Sequence, residues 1–437
     1  MRAVTLRPAV ALAAIASTTL ALAAGYEGSR TFQASETLGP SQVKGPHFSV
    51  APTVKVEGYF QVFELKTDYG PLEAEGRSML FKRINEVRAL GELDEVSKSK
   101  VFLDAAGTSV LTVGKGVASA VKDPGATAKG MGTGIKRFGT NLGRKAKSAG
   151  DQAVDSVTKD DDKKAGGAQK SGGDRAAEAG TGVAYSVLGV SAGARRWAQK
   201  VGVDPYTTNP ILKKALTDVG QIDAAGGIAA KVAVPIPPVV SGTAKVGGLV
   251  WGKDPQELQK LNEQNLKETG VGADTIKRLS VSKGFTLTLL TRLATSLRAV
   301  NVPGCADYAA TAGEADSERE ADFFTESAEM LERFHKTAPV AALLSDSRAV
   351  VAKTRDGRGV VLLPLDWVAW TAASEKAVAE IEKRAKGELG ATKLELRMTG
   401  ALSAAAKKEL SRRGWAVTER LHSSYELVAG GPAAKAR

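Results

Sequence analysis

Residues 183–201 read VAYSVLGVSAGARRWAQKV, and two readings compete for them. Val183, Val187, Val190, Ala194, Trp197 and Val201 recur at steps of four and three, the spacing of one face of an α-helix. Within the same stretch, Gly189-Val190-Ser191-Ala192-Gly193 matches the G-x-S-x-G turn that presents a hydrolase serine between a strand and a helix. The helical reading makes Ser191 a mid-helix residue and gives the glycines a packing role. Gly189 and Gly193 then let helices approach closely, as could Gly248 and Gly252. The hydrolase reading needs a downstream acid and His422 as base. No spacing marks the acid, for which Asp346 and Asp366 are the candidates, and no H-G-G-G-like oxyanion segment precedes the serine. A three-residue pattern also arises by chance in a chain with 47 glycines. We therefore read a helix, and keep Ser191 and His422 as candidate catalytic residues of the alternative only.

The helical pattern continues C-terminally. Ile211, Leu212, Leu216, Val219 and Ile222 predict a second helix. Residues 226–251 are apolar but broken by Pro235-Ile236-Pro237-Pro238, which predicts two short buried helices around a corner. Asp254-Pro255-Gln256-Glu257 has the cap, the first-turn proline and the acid of a helix start, and Gly270 ends that helix. A short helix begins at Asp274, and another carries Phe285, Leu289, Leu293, Leu297 and Val300. Ser317-Glu318-Arg319-Glu320 reads as a capping box opening the helix of Phe324, Ala328, Leu331 and Phe334. Residues 181–338 thus form a helical domain. The acids Glu318, Glu320, Asp322, Glu326, Glu329 and Glu332 make a negative run, either a solvated face or a dock for a basic part of the same chain.

Beyond 338 the period changes. Ala349–Lys353 and Val360–Leu363 read as strands joined at Asp356-Gly357. A helix from Thr371 to Lys386, a strand Leu394–Met398, a helix capped by Ser403 and ended by Gly414, and a strand Trp415–Thr418 complete a small α/β domain at 339–430. The tail 431–437 is expected to be disordered. On the N-terminal side, Val54, Val56 and the run Tyr59–Leu65 predict strand. Tyr69-Gly70-Pro71 reads as a turn, and Ser78–Gly91 as a helix. These make a small strand–helix module at 25–105, with 25–45 an unstructured lead. The fold class expected is α+β and multi-module: a mainly α-helical central domain, a small C-terminal α/β domain, and a disordered Gly/Lys-rich segment.

That segment, 106–180, holds the distinctive charge. Between Lys98 and Gly150 there are ten Lys/Arg and two acids, in a chain whose net charge is +12. Met131, Ile135, Phe138 and Leu142 fall on one face of a helical projection, with Lys129, Lys136, Arg137, Arg144 and Lys147 opposite. Gly130, Gly132, Gly134, Gly139 and Gly143 each cost about 1 kcal/mol in a helix interior, so the segment needs a surface on which to fold. An anionic membrane face supplies one; packing on its own protein or a solvated linker are the other readings. Asp151–Gly180 is low-complexity and marks a boundary. Nucleic acid is not expected as a partner: the charge suits it, but only Phe138 could stack on a base.

Residues 1–24 have a basic front (Arg2, Arg7), an apolar run Ala9–Ala24 and small residues at Ala21-Leu22-Ala23, the three parts of a secretory signal. One cysteine, Cys305, excludes an intramolecular disulfide, and the three histidines are widely spaced. Glu332 and His335 have the spacing of a carboxylate–histidine metal motif, but one copy does not make a di-metal site. No metal, cofactor or small-molecule ligand is inferred, and no P-loop or dinucleotide fingerprint occurs. The expectation is an exported, non-catalytic protein of the periplasm or cell envelope, or secreted, that adheres to an anionic membrane surface or envelope partner. The alternatives are an exported serine hydrolase and a purely structural scaffold.

Overall fold

The computed structural model describes residues 25–99, 102, 190–226, 244–345 and 349–424. The signal-like segment, all nine candidate surface-binding residues between 129 and 147, the proline corner and the tail lie outside these described residues.

The N-terminal part is an antiparallel sheet. Its elements are β1 (Thr31–Gln33), the one-turn helices α1 (Ala34–Thr37) and α2 (Pro40–Val43), β2 (Lys44–Gly45), β3 (Phe48–Val50), β4 (Thr53–Glu57), β5 (Phe60–Thr67) and β6 (Gly70–Glu75). β5 is central: β4 and β3 pair along one edge and β6 along the other. The run expected as one strand at 54–65 is two, because Gly58 turns the chain at φ +63°. The lead 25–45 is structured rather than loose. Phe32, Ala34 and Leu38 are buried beneath the sheet, in elements of three or four residues that are too short to display a period.

α3 (Arg77–Lys98) follows, longer than expected by about two turns at its end. Its second half, Leu90, Leu93 and Val96, packs into one core with Trp197, Leu212, Leu216 and Val219. These belong to α4 (Ala192–Val201) and α5 (Pro210–Gly226). Ser191 is not mid-helix. It is the N-cap of α4, and its Oγ accepts the Ala194 N–H at 3.1 Å. The periodicity continued past the point where a serine oxygen could satisfy an orphan donor and start the helix. Gly193 has the packing role expected: α4 and α5 cross there, and a Cβ on Gly193 would overlap the Gly220 carbonyl. We expect Gly193→Ala to destabilise the protein by about 1–3 kcal/mol in urea unfolding, because the two backbones must separate. The same role fails for Gly248 and Gly252 in α6 (Ala244–Gly252), where a Cβ would meet open space.

α7 (Pro255–Glu268) starts at an Asp254 cap that accepts from Glu257 N (2.9 Å). α8 (Ala273–Val281), α9 (Leu287–Val300), α10 (Cys305–Ala312) and α11 (Glu318–Thr337) complete the helical part. α10 was not expected. It begins at Gly304, φ +93°, where the chain presses on the Leu343 carbonyl. Cys305 is buried there, and burial pushes its thiol up. Ser317 caps α11, but the box is not reciprocal: the Glu320 carboxylate accepts from Asp316 N, one residue further back.

The C-terminal sheet runs β13-β11-β9-β8-β7, from β7 (Val340–Ser345), β8 (Val350–Thr354), β9 (Arg358–Leu363), β11 (Lys393–Met398) and β13 (Trp415–Thr418). β7, β8 and β9 are antiparallel, whereas β9, β11 and β13 are parallel. The parallel connections pass through α12 (Ala372–Gly387) and α13 (Ala404–Arg412), and β10 (Trp367–Val368) pairs with β12 (Ala401–Leu402) beside them. Alternation assigns the faces. Val350, Ala352, Val360 and Leu362 pack with α9–α11, while Val351, Val361 and Leu396 pack with α12 and α13. The sheet is thus covered on both sides, and the chain is a mixture of helices and several sheets.

Candidate functional site

α9 reads as an apolar stripe, Leu289, Leu290, Leu293 and Leu297, with one arginine inside it. Arg292 is fully buried and faces the negative run of α11. That run is not a solvated face. Glu320, Asp322, Glu326 and Glu329 are all buried, and α11 is enclosed on its polar side as well as on its Ala321, Ala328 and Leu331 side.

Arg292 grips Glu329 with two parallel hydrogen bonds of 2.8 Å, Nε to Oε1 and Nη2 to Oε2, and its Nη1 stands 3.5 Å from Asp322. Arg319 donates from Nη1 to Ser78 Oγ (2.9 Å) and Asp322 Oδ2 (3.1 Å), and Ser78 donates to the same Asp322 oxygen (3.0 Å). Ser424, reached after β13, closes the far side. Its hydroxyl donates to Glu329 and its N–H to Glu326 Oε1 (3.2 Å). Arg333 donates to the Ser424 hydroxyl (3.0 Å). One turn towards the start of α11, Glu318 takes Lys82 and Arg83 of α3. Arg83 also holds Glu86 at 2.7 Å, and Thr207 and Asn209 complete the Glu86 shell. The network therefore ties the N-terminal sheet's helix, the helical region and the C-terminal segment to one helix.

The charges are uneven. Arg292 and Arg319 offer two buried positive charges to three buried carboxyls, Asp322, Glu326 and Glu329. Burial alone would raise Glu329, but the Arg292 guanidinium and its hydrogen bonds outweigh that and hold it below the usual carboxylate range. Glu318 is likewise held at about 2 by Lys82 and Arg83 against its burial. Glu326 goes the other way. Burial, then the neighbouring Asp322, push it up to about 8, with Arg319 and Arg292 only partly offsetting them. Glu326 is the carboxyl that holds a proton at neutral pH.

A small polar cavity borders the network, lined by Arg77, Ser78, Glu326, Asp366 and Ser423 among others. Its volume, ≈ 10 Å³, is that of one water site. Asp366 sits where an anion would bind the start of α3, accepting from Arg77 N (3.2 Å) and Gln61 N (2.9 Å). The protein fills that helix end with its own carboxylate, and burial raises the Asp366 carboxyl. Chemically, the site can hold one proton and clamp three parts of the chain. Among the described residues it presents no paired nucleophile and base.

The residues predicted for catalysis are not drawn into it. Ser191 spends its oxygen on the α4 cap, in ordinary extended backbone (φ −67°, ψ 162°) rather than the strained turn of a nucleophile elbow. His422 is exposed on the segment leading to Ser424. Asp366 is committed to α3, and Asp346 lies outside the described residues. Glu332 pairs with Lys336 (2.8 Å) and accepts from Ser296, and the His335 Nδ1 accepts the Val340 N–H at 3.1 Å. Among the described residues no group of His, Cys, Asp and Glu is placed to hold a metal ion. Arg292 within a leucine stripe was the sequence signal for the buried network, because an unpaired arginine there would be untenable. No protein-family model, curated protein or solved structure matches this chain.

Proposed function

We propose that the chain is an exported, non-catalytic protein of the cell envelope that adheres to an anionic membrane surface through its basic segment. The secretory pattern of residues 1–24 supports export, and the facial segregation of residues 129–147 supports adhesion. The observation that carries the reading is the fate of the acids of α11. Glu318, Asp322 and Glu329 are consumed by Lys82, Arg83, Arg292 and Arg319, so this helix offers Lys129, Lys136, Arg137, Arg144 and Lys147 no acidic face on which to dock. An anionic lipid surface is the counter-charge that this reading assigns to them. No helix among the described residues is long and apolar enough to cross a membrane, and adhesion requires none.

The test is flotation of the mature protein with vesicles of phosphatidylglycerol and phosphatidylcholine. Wild type is expected to float at low salt and to detach at high salt. Replacing the five cations by Gln is expected to weaken binding more than tenfold, since each is worth ~1 kcal/mol near an anionic surface. Protein that stays unbound at low salt, or binding that persists in the Gln variant, overturns the reading. Recovery of the protein from the cytosol with residues 1–24 still attached overturns the export half.

A further inference from the structure

α12 stands off the sheet that it covers. Of its sixteen residues only Ser374 and Ala385, near its two ends, are buried. Ala377, Val378 and Ile381 lie on the same stripe between them and remain half-buried. The helix is fixed at its ends and along one edge. Thr371 caps its start and accepts from Ser374 N, and Ser374 Oγ donates to Ala369 O (2.9 Å). Along the edge, Arg413 holds Glu375 (2.8 Å) and Glu382 (3.3 Å), and Trp415 Nε1 donates to Glu382 (2.8 Å). Between the middle of α12 and the sheet lies a cavity of ≈ 80 Å³, walled by Val361 and Leu396 below and Trp370 and Trp415 at the sides.

We propose that this cavity is a binding site for the end of an alkyl chain. The lining is hydrocarbon and aromatic carbon almost throughout, so water gains no hydrogen bonds there and an apolar occupant is favoured. The volume decides between apolar classes. A dry cavity that admits benzene measures about 150 Å³, so the space under α12 is too small for a ring and suits a chain end a few carbons long. The half-buried Ala377, Val378 and Ile381 leave the cavity continuous with the surface, so the rest of a longer chain can run out past α12. The site goes beyond the adhesion reading and does not depend on the basic segment.

The test uses the full mature chain labelled with 5-fluorotryptophan and titrated with sodium octanoate, with diheptanoyl phosphatidylcholine below its micelle concentration as a second arm. The expected result is a saturable fluorine shift at Trp370 and Trp415, absent from the other tryptophans. Ala377→Leu, which places a chain of its own in the cavity, should weaken octanoate at least tenfold without lowering the melting temperature. Ala406→Leu fills the same space from α13 and repeats the test if the first variant does not fold. Saturation by octanoate alone assigns a free fatty acid as the occupant, and saturation by both an acyl chain of either origin. The absence of a saturable shift with either probe overturns the proposal, as does binding that survives both filled variants. Tighter binding of benzene than of octanoate overturns the choice of an alkyl chain.

Discussion

Arg292→Met is expected to cost about 3–5 kcal/mol of folding stability, read as a loss of the urea midpoint. The side chain is fully buried and carries three of the contacts that neutralise α11. Among the described residues, its removal leaves Glu329 buried with Ser424 as its close side-chain donor, and leaves Asp322 with Arg319 and Ser78. A lone buried carboxylate costs far more than the pair is worth. Removing both partners, Arg292→Met with Glu329→Met, should therefore restore much of the loss, because an apolar pair of similar volume is often as stable as the ion pair. A single variant that loses under about 1 kcal/mol would mean that the network is hydrated, not closed.

Glu326→Gln is expected to do the opposite and stabilise the protein at neutral and alkaline pH. An unfolded glutamate has its ordinary value of 4.5, and in the fold Glu326 stands at about 8. Below pH 4.5 both states carry the proton and nothing is lost. Between 4.5 and 8 the folded state binds more protons than the unfolded one, so stability falls as pH rises, by up to about 1.4 kcal/mol per unit. Above 8 the full cost is present. Glutamine keeps the acceptor for Ser424 N and cannot ionise. The variant should gain on the order of 2–4 kcal/mol over wild type at pH 8 and nothing at pH 4. Glu75 and Asp366 are also raised, by burial, and share the sign, so the comparison is variant against wild type at each pH. Glu318 titrates in a separate window. Its stability is present above 4.5 and lost as pH falls towards 2. Parallel pH curves for Glu326→Gln and wild type would refute the assignment of the proton.

Local chemistry made part of this fold legible. Asp254 and Ser403 accept the N–H groups expected of caps, and Gly357 turns the hairpin at φ +88°. The alternation of β11 and the period of α9 survive because each element is long enough to show its apolar face. Signals weakened where elements were short, as in β1, α1 and α2, or where one apolar residue stood alone. The buried network was legible only in outline. Amphipathic logic assigns a helix's polar face to water, and it fails when two partners cover both faces of α11. Arg292 within its leucine stripe was a sign of a buried acid that went unread, and nothing local could say that Ser78 and Ser424 would meet there. Ser191 shows the same limit in reverse: a helical period ran across a cap, because spacing counts residues and not hydrogen bonds.

The clamp on α11 also sets an order of events in time. Of the clamp's residues Ser78 leaves the ribosome first, then Arg292 and Asp322, and Ser424 last. Until Ser424 arrives, the Glu326 and Glu329 carboxyls lack the hydroxyl and amide that cover them, so the interior of a nascent chain stays open to water. Closure must wait for contacts far apart in the chain, which slows folding.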